Sequence, residues 1–369
     1  MKLTQVREGT TDLLVPAKSV SHTKGPSTKK MDVFFNPVME FSRDVSVLVL
    51  REFVLGRKPT LLDGLAGTGA RGVRLASEVE GDFSVVLNDR NPAAVDVINR
   101  NVTLNGVDNC RAEKRKLNAL LGEEDFDYVD VDPFGSPVNF IDAAVQSLRK
   151  NGMLAVTATD SAPLCGTYKK TSLRRYGAIS LKTSYSHEIG ARILAGHCIR
   201  TAAQYDIALT PVLSFFSDHY LRIHLHVEKG ARKADSALRD IGYVYHNRKT
   251  GERKVVHDVS GEMWERAGPL WIGNLHEKDF LKKIKVDKNL GTKKKLEKYL
   301  ELWVAEAKAP PLFYELNEIA SLTKTSPLPM NTMIEKLKAN GFVATKTHFS
   351  PNGFKTDAAL EDIKSIANG

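Results

Sequence analysis

What this chain has little of narrows its class before any motif is read. Its 369 residues include only three cysteines, Cys110, Cys165 and Cys198, whose positions give neither a disulfide framework nor a metal-pair spacing. No run approaches the roughly 18 consecutive apolar residues of a membrane span. The opening MKLTQVREGTTDLLVPAKSV lacks the apolar stretch and small-residue cleavage site of a secretory signal. The expectation is a cytoplasmic protein with reduced thiols and no membrane attachment. No internal repeat or long low-complexity stretch is present, and a hydrophobic content of 42% with 26% charged residues is ordinary globular usage. The length favours two domains.

Acidic residues are the minority charge: 44 Asp and Glu stand against 53 Lys and Arg, a net charge of +9. Residues 231–369 hold 24 basic and 18 acidic residues, so the C-terminal third is the more basic segment. Such an excess suits a polyanionic partner and equally a solvated surface.

The first 230 residues alternate strand and helix signals. TLLD, the glycine stretch GLAGTGARG and VRLASEV read as strand, loop and helix. FSVVLND reads as a second strand. NPAAVDVINRNVTLNG reads as a helix with Pro92 in its first turn and Gly106 at its end. FDYVDVD follows as a strand, VNFIDAAVQSLRKNG as a helix stopped by its glycine, and MLAVTATD as another strand. Further on, HEIGARILAGHCIRTAAQYD reads as a long helix and IALTPVLSFFSDHYLRIHLHV as two strands around SDH. The alternation implies a mostly parallel sheet ending in an antiparallel hairpin.

Gly67, Gly69 and Gly72 satisfy the G-x-G-x-x-G pattern of dinucleotide sites. The same stretch, from Asp63 to Gly69, also fits the D-x-x-x-G-x-G loop of enzymes that use S-adenosylmethionine, and Asp89 closes the second strand where a carboxylate accepts ribose hydroxyls. A plain tight turn would use the glycines as well. The stretch DVDPFGSP, residues 130–137, separates these readings, because open α/β sheets place their chemistry at carboxyl strand ends. At such a corner Asp132 suits a methyltransferase acting on an amino group: it accepts the N–H, aligns the nitrogen lone pair and offsets the charge that develops there. Pro133 fixes the turn and Phe134 offers a face for a base. The structural alternative is a capping Asp with Phe134 in the core. Asp130 is read as facing the other side of the strand, in a structural role.

Five stretches occur in order: VFFNPVMEFSRDVSV, DGLAGTGARGVR, LNDRNP, DPFGSP and SYSHEIGARILAGHCIRTAA. Together they resemble the tRNA guanine-N2 dimethyltransferase family, closely over residues 5–230 and loosely beyond. The resemblance implies an α/β fold: a class I, Rossmann-like S-adenosylmethionine methyltransferase sheet over residues 1–230, and a smaller basic α+β tRNA-binding domain over 231–369. It implies a monomer that transfers one or two methyl groups from S-adenosylmethionine to N2 of guanine 26. Phe34 and Phe134, with Pro133, would wall the target-base pocket, with Asp132 catalytic. Arg43, Asp63, Gly67, Arg71, Asp89, Asn118 and Ala119 would hold the cofactor. Arg74, on the same helix as Arg71, is the alternative to it. Phe35 stands where a tyrosine is common, and Asn118 where the family commonly has Asp; its amide still offers an acceptor to the adenine amino group.

Some members of the family carry a cysteine zinc site; GYVYHNRKTGERKVVH contains no cysteine, His246 and His257 are too few, and no metal is expected. His224 and His226 alternate with apolar residues and are read as the polar face of a strand. Flipping a guanine out of its stack needs a backbone grip, and three basic segments are candidates: HTKGPSTKKMD, KKIKVDKNLGTKKKLEKYL and residues 311–357. The last reads as helix, helix and two strands around Ser-Pro-Asn-Gly, resembling a winged helix, with Met333, Ile334 and Leu337 in its core and Lys336 and Lys338 toward phosphate. Two further functions stay open on the residues: a nicotinamide-dependent oxidoreductase resting on GTGARG alone, and a nonenzymatic RNA-binding protein, which the intact Asp63, Asp89 and Asp132 disfavour.

Overall fold

A computed structural model describes residues 1–20, 33–259, 261 and 263–368. The basic stretch HTKGPSTKKMD lies outside the described residues. The chain folds as two compact units, one formed by Met1–Thr157 with His226–Glu228 and Lys282–Lys298, the other by Ala158–Leu225, Lys229–Leu281 and Tyr299–Gly369.

The first unit opens with a hairpin, β1 (Leu3–Glu8) and β2 (Thr11–Pro16), in antiparallel register. Then come β3 (Thr60–Asp63), β4 (Ser84–Asn88), β5 (Cys110–Glu113), β6 (Phe126–Val131) and β7 (Leu148–Ala158). They pair in parallel in the order β5-β4-β3-β6-β7. The helices Ala70–Glu78, Pro92–Asn105 and Val138–Gln146 supply the crossovers from β3 to β4, β4 to β5 and β6 to β7. Leu62, Val85, Leu87, Val129, Leu154 and Val156 are fully buried, as expected of strands covered on both faces.

One expected element is corrected. The helix read over Val138–Gly152 ends at Gln146, and Leu148 already starts β7. Asn151 and Gly152 mark no helix end; they lie where the β6–β7 register shifts, and a Cβ on Gly152 would come within 2.7 Å of the Asp127 carbonyl. The glycine there permits a close backbone approach.

The helix Ser186–Ala203 precedes the strands Ile207–Ser217 and Tyr220–Lys229, which lie side by side and are joined by a two-residue turn; all but His226–Glu228 of these belong to the second unit. His224 is fully buried, contrary to the polar face expected for it, because this strand is buried on both of its faces; His226 is half-buried. The segment of residues 316–368 runs as helices Leu316–Thr323 and Met330–Ala339, strands Ala344–Lys346 and Gly353–Thr356, and the helix Leu360–Asn368. Met333 and Leu337 fill its core with Phe354 and Ile363, and Ile334 packs against them.

Candidate active site

The carboxyl ends of β3, β4 and β6 carry Asp63, Asp89 and Asp132. Asp63 is buried beside Asp130 in the β3–β6 register and accepts the Gly72 N–H at 3.0 Å. Burial, followed by the nearby Asp130 charge, raises its pKa to about 7 against the lowering effect of Arg71. The loop then turns at Gly67, whose φ is +55° and whose added Cβ would lie 2.8 Å from the Phe34 carbonyl. Glycine is required there twice over, for the left-handed turn and for the close approach of the Phe34 carbonyl. The Gly67 N–H donates to Asp89 Oδ2 at 3.0 Å, and Asp89 Oδ1 accepts the Asn91 N–H at 2.9 Å. Asn101 braces the same loop from below, donating to the Thr68 carbonyl at 2.9 Å.

Phe34 and Phe134 meet over this floor with ring centroids 4.4 Å apart and planes at 80°. Phe134 is 48% exposed, while Pro133 behind it is buried. A large exposed aromatic held by a buried proline is not a core residue, so the capping-turn alternative for this corner loses its aromatic anchor. Asn118 is exposed and donates to the Asn139 carbonyl at 2.9 Å, leaving its amide oxygen as the acceptor; Ala119 is exposed beside it.

The arginines divide their work. Arg43 grips Glu8, with Nε 2.7 Å from Oε2 and Nη2 2.5 Å from Oε1, and Nη2 also donates to the Asn36 carbonyl at 3.1 Å. A cofactor carboxylate would have to be met through its Nη1. Arg74 is fully buried among Glu78, Asp44 and Glu8, at 2.9, 2.6 and 3.3 Å. Arg71 Nη2 is 2.5 Å from Asp132 Oδ2, its Nε is 3.5 Å from Asp130 Oδ2, and its Nη1 donates to Ser46 Oγ at 2.5 Å. The expected opposite facing of Asp130 is therefore wrong: residues two apart in a strand share a face, and one guanidinium bridges both carboxylates. Sequence reasoning also missed Glu8, Ser42 and Ser46. The strand period alone would have flagged Asp130; no local pattern announces the other three.

Among the described residues, His276, Glu306 and His348 bring potential ligand atoms within 4.8 Å of one another. The Glu306 oxygens are already committed: Oε1 accepts the His348 backbone N–H and pairs with His348 Nδ1, both at 2.7 Å, and Oε2 accepts Thr347 Oγ1 at 2.8 Å. Lys355 lies 3.5 Å from Glu306 and 2.9 Å from Glu188, which also pairs with Arg192. Two carboxylates and two cations already balance here, so the trio belongs to a buried ion-pair network that pins residues 347–355.

A strand-loop-helix floor with carboxylates on three strand ends, overlooked by two aromatics, defines a Rossmann-like, S-adenosylmethionine-dependent methyltransferase. A family model described as N2,N2-dimethylguanosine tRNA methyltransferase matches residues 9–368. The tRNA (guanine(26)-N(2))-dimethyltransferase of Methanothermobacter thermautotrophicus is 37% identical over 379 residues, spanning 99% of this chain and 98% of that protein. The enzyme of the same name from Methanococcus maripaludis strain C7 is 39% identical over 370 residues, 97% and 96% of the two chains. The structure of Trm1 from Pyrococcus horikoshii in complex with S-adenosyl-L-methionine matches with a TM-score of 0.88 at 34% identity and covers 99% of both chains. The chain belongs to the N2,N2-dimethylguanosine tRNA methyltransferase family.

Proposed function

We infer that the protein methylates the exocyclic N2 of guanine 26 in tRNA, once or twice, with S-adenosylmethionine as donor. The observation that supports this reading is the corner after β6, where Asp132 precedes by two residues the Phe134 ring that meets Phe34, whose own carbonyl borders the Gly67 turn tied to Asp89. The residues fit the cofactor: Asp89 presents a carboxylate at the β4 end, and Asn118, whose amide nitrogen is engaged by the Asn139 carbonyl, offers its oxygen as an acceptor. Asp63, Gly67, Asp89, Asn118 and Ala119 would hold it, with Arg43 reaching its carboxylate. When bound, S-adenosylmethionine supplies the electrophilic methyl group.

The chain does the rest. Phe34 and Phe134 separate to take the flipped guanine, and stacking offsets an unstacking cost of a few kcal/mol. Asp132 accepts an N2–H and holds the lone pair in line, which restricts the nitrogen to its reactive orientation. A single acceptor suffices for each step, because a monomethylated amine still has one N–H. The basic residues of 231–369, Lys338 among them, would grip the tRNA backbone. Among the described residues no helix is long and apolar enough to cross a membrane, and we place the enzyme in the cytoplasm as a monomer.

The test is incubation of unmodified tRNA transcript with protein and methyl-labelled S-adenosylmethionine, followed by nucleoside mass spectrometry. N2-methylguanosine and N2,N2-dimethylguanosine mapped to position 26 are expected. Label in another nucleoside, or none with several tRNAs, would overturn the reading.

A further inference from the structure

The helix Lys169–Tyr176, KKTSLRRY, lies in the second unit and carries four cations in eight residues. Arg175 is paired with Asp160 at 2.9 Å, and Lys169 turns to Glu265 at 3.8 Å. Lys170 and Arg174, one turn apart, are exposed, as are Tyr168 and Leu173 beside them. Lys169 also lines a cleft of about 360 Å³ together with Ile179, Leu181, Tyr245, Trp264 and Arg266. Glu265 completes its lining.

One wall of the cleft is a three-stranded antiparallel sheet, with Ile241–His246 between Arg253–Val256 and Glu265–Trp271. Tyr245 is paired with Lys254 on one side and Arg266 on the other, and directly opposed residues share a face. Lys254 Nζ lies 4.6 Å from the Trp264 ring centroid, and the Arg266 guanidinium 5.3 Å from that of Tyr243. Ile179 is fixed to this sheet by exchanging backbone hydrogen bonds with Gly268 at 2.9 and 2.8 Å. Two cations and one carboxylate line the cleft, and Arg248 meets that carboxylate at 2.8 Å. Positive charge is therefore in excess around aromatic faces. Such a surface suits an unpaired nucleotide, whose base stacks on a ring while its phosphates meet cations.

We propose that this cleft seats an unpaired nucleotide of the tRNA other than guanine 26, with its base against Trp264 and its flanking phosphates on Lys170 and Arg174. It rests on the tRNA methyltransferase reading and deepens it. A base held here, outside the Phe34–Phe134 pair, adds affinity and fixes the register of the tRNA without entering the chemistry. Neither an apolar ligand nor a small anion uses the site in full, since the first leaves the cations idle and the second the rings.

Trp264→Ala is expected to raise the Kd for unmodified tRNA transcript about tenfold, the order of loss of one base–aromatic stack, with the loss in turnover falling on KM rather than kcat. Lys170→Ala combined with Arg174→Ala should lower the slope of log Kd against log salt by about two. A tRNA Kd within about twofold of the parent in Trp264→Ala, or an unchanged salt slope in the double variant, would overturn the proposal. Fluorescence decides the matter if Trp264→Ala does not fold. Of the three tryptophans, Trp271 and Trp303 are 4% and 2% exposed, so Trp264 is the one a ligand can reach. Binding of tRNA is expected to quench the parent's emission, and Trp264→Phe to lose most of that quench; an equal quench in both proteins defeats the assignment. Quenching by nucleoside monophosphates but not by tRNA would make the cleft a site for free nucleotides and defeat it equally. The parent run alongside keeps the two readings apart: no N2-methylguanosine from the parent defeats the function itself, whereas an active parent beside a Trp264→Ala protein with unchanged tRNA affinity defeats only the cleft.

Discussion

Phe34 and Phe134 touch each other, edge to face, at a centroid distance of 4.4 Å. The contact joins the N-terminal approach to the glycine loop with the corner that follows β6, and in the proposed reading it closes the pocket that a flipped base enters. Edge-to-face pairs of this kind are worth about 0.5–1.5 kcal/mol beyond their burial. Base entry therefore exchanges one aromatic contact for two stacked faces. Phe134→Ala removes a wall without touching Asp89 or the loop. We expect the tRNA KM to rise and kcat to fall, together lowering kcat/KM by about 30-fold or more given the stacking energy at stake. S-adenosylmethionine affinity, read by calorimetry, should stay unchanged; equal loss in both ligands would show that the corner holds the cofactor instead.

Glu8 is the hinge of the buried charges beneath the site. It takes both forks of Arg43 and lies 3.3 Å from Arg74, and each of these side chains is less than one-tenth exposed. Truncation leaves two buried guanidiniums short of a counter-charge, and breaking such a pair costs about 3–5 kcal/mol. Glu8→Ala should lower the melting temperature by several degrees, whereas the exposed pair Lys58–Asp82 should be dispensable. A Glu8→Ala protein as stable as its parent would mean that Arg43 is held by other means.

How much of this was legible follows from how local each signal is. The glycine loop, the helix from Pro92 and the helix-helix-strand-strand order of residues 316–356 were readable because turn residues and periodicity act within a few positions. The overrun at Gly152 shows the limit: Asn-Gly reads as a stop, and only the neighbouring strand reveals it as a bulge. Of the site, Asp132, Phe34 and Phe134 could be placed from the motif. The Glu8–Arg43 pair could not, because it joins positions 35 residues apart and no sequence pattern marks a partner at that distance. Asp130 was misjudged for a different reason, since its strand period already put it on the face of Asp132.

Asp63 gives the first unit a pH signature. Its folded pKa of about 7 lies above the ordinary 3.8, because burial and then Asp130 disfavour its charge. The folded state thus keeps a proton that the unfolded chain has released. The stability this contributes is fully present below about pH 4 and is lost as pH rises through about 7. Glu40, raised to about 7 chiefly by burial, adds a parallel slope, so the informative quantity is a difference. Asp63→Asn keeps a neutral acceptor for the Gly72 N–H at every pH. Its melting temperature relative to the parent should climb as pH is raised from 4.5 to 8 in the absence of cofactor. Parallel profiles for the two proteins would show that Asp63 is ionised throughout.

The lysines of the C-terminal segment separate into structure and surface, and the two kinds should fail differently. Lys355 is 3% exposed, with its ammonium 2.9 Å from Glu188 and 3.5 Å from Glu306. Lys355→Met removes the one cation shared by two buried carboxylates and leaves Glu188 with Arg192 and Glu306 with His348, a loss of up to about 3–5 kcal/mol that a melting curve will register. Lys338 is exposed on the helix Met330–Ala339, while Lys336, two residues before it, spends its ammonium on the Ile366 carbonyl at 3.5 Å. Lys338→Glu should leave the melting temperature unchanged and weaken tRNA binding about threefold or more. It should also reduce the slope of log Kd against log salt by about one, as loss of a single phosphate contact does. An unchanged salt slope would remove this helix from the tRNA-binding face and move the grip to the lysines of 282–298.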